Sequence, residues 1–144
     1  MIRVTPFKQE HLKDFLPKML ILDLEQSMQD CLDSPERTVL TLKKKDEIIC
    51  IAGINFLRLG VGEVWIIPSI LVDVYKCEFY KTIYRLINNY VITQLGLHRV
   101  TMAIEVGWSK GVKWAETLGF SREGIMKAYD HNRVDHYLYA KVVE

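Results

Sequence analysis

The sequence predicts one α/β domain over residues 1–144, built as a mixed central sheet with helices on both faces in the order βααβββαβαββ. Three observations carry that expectation. Apolar residues make up 49% of the 144, enough to fill one core in a chain too short for two ordinary domains. Stretches of strand-like alternation exchange with stretches of helical spacing, which is how a mixed sheet is encoded. No internal repeat, low-complexity tract or Pro/Gly/Ser-rich linker divides them.

Taken in order, Ile2 to Thr5 is a short β-branched run closed by Pro6. From Glu10 to Leu32, Leu12, Phe15, Leu16, Leu20, Leu24 and Met28 recur at helical intervals, and Pro17 splits the region into two helices. Arg37 to Lys43 and Glu47 to Arg58 are apolar strands about a charged turn at Lys44, Lys45 and Asp46, the pattern of a hairpin. Gly60 and Gly62 turn the chain into a strand from Glu63 to Ile67 that ends at Pro68. The longest helical signal follows, from about Tyr75 to Gln94, through Phe79, Ile83, Leu86, Ile87, Tyr90 and Val91, and Gly96 ends it. Arg99 to Glu105 alternates as a strand. Ser109 is an N-cap candidate for a helix that Gly119 stops. Phe120 leads into the last strands, Gly124 to Tyr129 and Val134 to Val143, around a turn at Asp130 to Arg133.

Composition excludes several functions. Nineteen Lys and Arg against eighteen Asp and Glu give a net charge of +1, so the chain lacks the basic surplus of a nucleic-acid binder. No apolar run approaches the roughly 20 residues of a membrane span. The start, MIRVTPFKQE, lacks the charged, apolar and small-residue sections of a secretory leader. Cys31, Cys50 and Cys77 follow no metal or redox spacing and fit reduced, buried thiols, so the expected location is the cytoplasm.

Several ordered segments carry a resemblance. Gly96-Leu97-His98-Arg99-Val100 is followed by Trp114-Ala115-Glu116-Thr117-Leu118-Gly119-Phe120, by Arg122-Glu123-Gly124-Ile125-Met126, and by Asp135-His136-Tyr137-Leu138-Tyr139. Together with the element order, they resemble the GNAT superfamily of acyl-CoA-dependent N-acyltransferases. The C-terminal half is similar to the branch that acetylates N-terminal and related amines. The resemblance implies that the strand ending at Pro68 splays from its neighbour to admit the pantetheine arm of acetyl-CoA, with backbone groups near Ile66 and Ile67 on the thioester carbonyl. It also implies a glycine-rich loop around the coenzyme diphosphate, whose backbone N–H groups converge on the anion at a helix N-terminus.

This sequence departs from that loop. The position of its basic residue falls at Leu71, and its two glycines fall at Val74 and Lys76. Branched and bulky side chains fill Val72-Asp73-Val74-Tyr75, and Asp73 adds a negative charge. The family's coenzyme-holding asparagine maps to Trp108 and its thiolate-protonating tyrosine to Ala115. Such a replaced loop beside a retained C-terminal half resembles small GNAT-like proteins of short-tailed phages, some tied to virion assembly. That resemblance implies a non-catalytic or weakly active protein whose partner is a virion component or host protein. The alternative is an active acetyltransferase that moves acetyl from acetyl-CoA to a primary amine. In the degenerate case Leu71, Val74, Tyr75 and their neighbours either plug the cleft or form a partner-binding patch, and the loop runs straight into its helix.

The carboxylates that suit proton removal from an ammonium are Glu63 and Glu105, each at a strand end where plain solvation is the competing reading. Tyr129, Tyr137 and Tyr139 suit an acceptor pocket or simple packing. Asp130-His131 and Asp135-His136 lack a third ligand at metal spacing, so no metal is expected. Gly60-Val61-Gly62 leads into a strand and reads as a turn, Cys77 as a small filler, and Lys43, Lys44 and Lys45 as a solvated hairpin tip.

Overall fold

A computed structural model describes residues 1–17, 24–34 and 37–144. Its strands are β1 (Arg3–Pro6), β2 (Arg37–Lys44), β3 (Glu47–Arg58), β4 (Val61–Pro68), β5 (Arg99–Glu105), β6 (Ser121–Met126) and β7 (His136–Val142). They form one sheet in the order β1-β2-β3-β4-β5-β7-β6. Short turns make antiparallel neighbours, with Lys45 and Gly60 taking the positive φ values that the β2–β3 and β3–β4 turns require. Among the described strands only β4 and β5 are parallel, because the chain between them crosses the sheet as a helix. The predicted α/β class is present, and the strands ending at Pro68 and Glu105 are parallel neighbours.

Alternation along the strands sends side chains to two cores. On one face Leu42, Cys50, Ala52, Ile54, Val100, Met102, Ile104 and Tyr139 pack beneath α2 (Lys76–Arg85) and α3 (Ser109–Thr117), through Phe79, Ile83, Ala115 and Leu118. On the other, Val39, Ile48 and Ile51 pack with Phe7, Phe15 and with Met28 of α1 (Leu24–Asp33). Helices therefore cover both faces.

Several boundaries differ from the sequence reading. The first predicted helix is a 3-10 segment, Gln9–Asp14, closed where Phe15 becomes extended two residues before Pro17. Leu20 lies outside the described residues. Ser109 opens α3 as its first residue, while Trp108 stands at the cap and makes no side-chain capping bond. β6 ends at Met126 because Ala128 takes a left-handed φ of 48° that breaks the pairing. Helix α2 continues into a π-helix, Leu86–Gln94, where the Leu95 amide donates to Tyr90 O at 2.9 Å. Cys77 is exposed, not buried, since it sits in the outward first turn of α2, whereas the Cys50 thiol is fully buried and pushed well up by desolvation.

A buried polar contact ties the N-terminal segment to the sheet. The Lys8 amide donates to His11 Nδ1 at 3.2 Å, so Nδ1 accepts and the Thr41 hydroxyl 2.9 Å away donates to it as well. Burial and then Lys43 hold the His11 pKa below its ordinary value. The unfolded chain therefore binds the proton more readily, and stability is complete above the ordinary histidine range and falls as pH drops through it. Thr41→Val removes one donor at constant volume and is expected to cost about 1 kcal/mol. Thermal melts at pH 7 check this, and melts from pH 7 to 5 check the acid sensitivity that His11 confers.

Candidate functional site

The sheet opens where β4 meets β5. Three residue pairs join them, Val61↔Arg99, Gly62↔Val100 and Glu63↔Thr101, and there the ladder stops. Each strand keeps its outer partner much further, β4 to β3 as far as Cys50↔Pro68 and β5 to β7 as far as Glu105↔His136. Held from outside and twisting, the two strands diverge. Backbone groups on the inner edge of Val64 to Pro68 thereby lose their ladder partner. The Ser69 amide donates to Ile49 O on the β3 side at 2.9 Å, so by alternation back along β4 the Ile66 amide faces the gap.

A cavity of about 400 Å³ occupies this gap and passes from one face of the sheet to the other. One end is apolar, with Ile83, Leu86, Ile87, Tyr90 and Val91 from α2 and the π-helix facing Val64, Ile66, Met102 and Ile104. Trp114 also lines that end and stacks on Phe79 with ring centroids 5.8 Å apart. The opposite end is acidic. Glu63, Glu105 and Asp130 line it with Tyr129 and His136, and no Lys or Arg is among the described lining residues.

The β6–β7 connection positions Tyr129. Asp135 Oδ1 accepts from the Ala128 amide at 2.8 Å, and that bond, ahead of Lys127, holds the Asp135 carboxyl below its usual range. Asp130 Oδ1 accepts from the amides of Asn132 and Val134, both at 2.9 Å. With its loop fixed, the Tyr129 hydroxyl donates to Glu63 Oε2 at 3.4 Å, and its ring lies 4.9 Å from that of His136. Burial first, and then Glu63, push the Tyr129 phenol up. Its neutral form is favoured, so the contact persists through neutral pH and is lost only as pH rises past the ordinary tyrosine range.

Two tryptophans are seated on glycines. Gly53 pairs with Trp65 across β3 and β4, and a Cβ there would lie 2.1 Å from the indole. Trp65 Nε1 donates to Asn55 Oδ1 at 3.2 Å and the ring lines the cavity. Gly111 makes the same room for Trp108, whose ring a Cβ would approach to 2.2 Å. Gly53→Ala is expected to drive the Trp65 ring from its seat, at a cost of about 1–3 kcal/mol. Paired thermal melts and indole emission spectra read out both effects.

Of the residues singled out from sequence, Glu63, Glu105, Tyr129, Ile66 and Trp108 all line this cavity. Ile67 points to the other face, against the core that holds Met28. Leu71, Val74 and Lys76 lie outside the lining. The plugged cleft expected from the bulky loop is not present, for a geometric reason. Residues Ile70–Asp73 wind into a 3-10 turn capped by Ser69, whose hydroxyl accepts from the Leu71 amide at 3.1 Å. That turn leaves Ile70 and Val74 exposed and lays Leu71, Val72 and Tyr75 on the core. The Tyr75 hydroxyl reaches Glu47 at 3.2 Å, and Lys44 lies over its ring, so Tyr75 faces the hairpin tip and not the cleft. The loop does run directly into α2, as its sequence implies.

The turn also settles where the backbone donors go. Amides of Ile70, Leu71, Val72, Val74 and Tyr75 donate to Leu16 O, Ser69 Oγ, Ser69 O and, for the last two, Leu71 O. No run of converging N–H groups exists for a diphosphate in this turn. The gap and its apolar end fit a pantetheine arm, and the turn does not fit the nucleotide end of the coenzyme.

Gly53, Trp65, Tyr90 and Trp114 escaped the sequence reading as lining residues. A glycine inside the apolar run of β3 was the available signal, since such a glycine marks close approach by another group. Asp130 and His136 stand in the sequence as a turn residue, a family-segment residue and metal candidates, not as cavity lining.

No family model matches the chain, and no curated protein matches it. Solved structures do. A spermidine N-acetyltransferase SpeG chimera from Vibrio cholerae and hSSAT is 17% identical, with 98% of this chain and 95% of that one covered at a TM-score of 0.80. The spermidine/spermine N-acetyltransferase SpeG from Vibrio cholerae in complex with manganese ions is 16% identical over 98% of this chain and 92% of that one, with a TM-score of 0.76. At such identities the likeness is one of fold: the chain has a GNAT-like fold over nearly its whole length.

Proposed function

We propose that this protein is an N-acyltransferase that moves an acyl group from a thioester lying between β4 and β5 to an amine entering at the acidic end of the cavity. The observation that carries the reading is the cavity itself, apolar where a thioester arm would lie and lined by Glu63, Glu105 and Asp130 where a cation would arrive. An amine is an ammonium at neutral pH and must lose a proton before its nitrogen can attack a carbonyl. Glu63 takes that proton, held in place by Tyr129. The Ile66 amide faces the gap where negative charge develops on the carbonyl oxygen. The nitrogen's second proton goes to the departing thiolate, and Glu63 returns its own to solvent. Ala115 is fully buried in α3, so no side chain there serves as an acid.

The GNAT-like fold of spermidine N-acetyltransferases supports a catalytic reading over a role in virion assembly. One observation favours the second reading, a non-catalytic GNAT-like module: the amides of the 70–75 turn are satisfied within the protein. Thiol release from millimolar acetyl-CoA in the presence of peptide N-termini, lysine side chains and short diamines separates the two. Amine-dependent release that Glu63→Gln abolishes is expected. Absence of release with every amine supports the non-catalytic module.

A further inference from the structure

We propose that donor recognition stops at the pantetheine arm, so that any acyl-pantetheine thioester serves this protein as well as acyl-CoA does and the nucleotide end adds no affinity. This rests on the acyltransferase reading and names the donor class for the same site. Three features of the segment after Pro68 argue for it. Its amides from Ile70 to Leu71, with Val72, Val74 and Tyr75, already donate within the protein. Ile70 and Val74 are 53% and 66% exposed there, an apolar lip that a hydrated diphosphate gains nothing by approaching. The start of α2, where a helix otherwise attracts an anion, carries one cation, Lys76, against Asp73 in the turn and Glu78 in the first helical turn, the latter ion-paired with Lys44, so it holds no net positive charge.

The apolar cavity is complete without that segment, since Pro68 is the last β4 residue that lines it and the residues of the 70–75 turn do not. Arm binding and nucleotide binding are thus separable here. A charge-assisted hydrogen bond to a diphosphate contributes about ten- to a hundredfold in affinity, so a working nest of several would favour the coenzyme by more than a thousandfold. Its absence predicts near parity.

The test titrates S-acetylpantetheine and acetyl-CoA separately into the protein and follows quenching of the tryptophans, of which Trp65, Trp108 and Trp114 line the cavity. Adenosine 3′,5′-bisphosphate serves as a nucleotide-only arm. Dissociation constants for the two thioesters within tenfold of each other, with no displacement of either by the bisphosphate, are the expected result. Acetyl-CoA binding more than tenfold tighter, or displacement by the bisphosphate, overturns this inference and leaves the acyltransferase reading standing. Failure of both thioesters to bind overturns that reading, and this inference with it.

Discussion

Glu63→Gln is expected to lower kcat for acyl transfer by about 10²- to 10⁴-fold, the usual worth of a positioned general base, while leaving KM for the thioester nearly unchanged. The amide keeps the shape of the carboxylate and retains an oxygen that accepts from Tyr129, so the hairpin geometry survives. It cannot accept the ammonium proton. Glu105→Gln changes the β5 carboxylate of the same acidic end, paired with His136 in the ladder, and is expected to act on KM for the amine more than on kcat. Steady-state kinetics on the two variants give the comparison. A loss below tenfold for Glu63→Gln with a large kcat loss for Glu105→Gln would exchange their roles.

Tyr139→Ala is expected to cost about 3–5 kcal/mol, the largest stability loss of any substitution considered. Tyr139 is fully buried, pairs with Met102 across β5 and β7, and with Arg122 across β6 and β7. Its hydroxyl accepts from Arg122 Nε at 3.2 Å, and the same guanidinium stacks 3.7 Å above the Tyr137 ring. Truncation leaves a large void and removes the hydroxyl that Arg122 points at. Because β7 holds β5 on one side and the hairpin of Tyr129 on the other, the loss also loosens the acidic end of the cavity. Tyr139→Phe keeps the ring and is expected to cost about 1 kcal/mol. Denaturant unfolding of both variants checks the difference.

What was legible in the sequence follows from what short-range pattern encodes. Alternation in β2, β3, β5 and β7 and the stop at Gly119, which takes a φ of 93°, are local signals and all are present. Glu63, Glu105 and Tyr129 line one cavity because β4 and β5 are neighbours and the β6–β7 connection reaches Glu63, a proximity that element order alone suggests only in part. Other features depend on partners distant in sequence. Trp65 is seated by Gly53 only once the β3–β4 register is fixed. The bulk of Leu71 and Tyr75 is visible in the sequence and points to either a plug or a partner-binding patch, whereas their direction is set by the Ser69-capped turn and by Glu47 on a hairpin 28 residues away. The π-helix carries no sequence signature, since Leu86, Ile87, Tyr90 and Val91 share a face at α-helical spacing too.

The most direct test of the account is a crystal structure of the protein with a thioether analogue of acetylpantetheine, in which a non-cleavable bond replaces the thioester. The arm is expected to thread between Val64–Pro68 and Met102–Glu105, its acyl carbonyl beside the Ile66 amide and its acyl end toward Glu63 and Tyr129. A gap that closes when the protein crystallises, or an analogue seated away from β4 and β5, would contradict it.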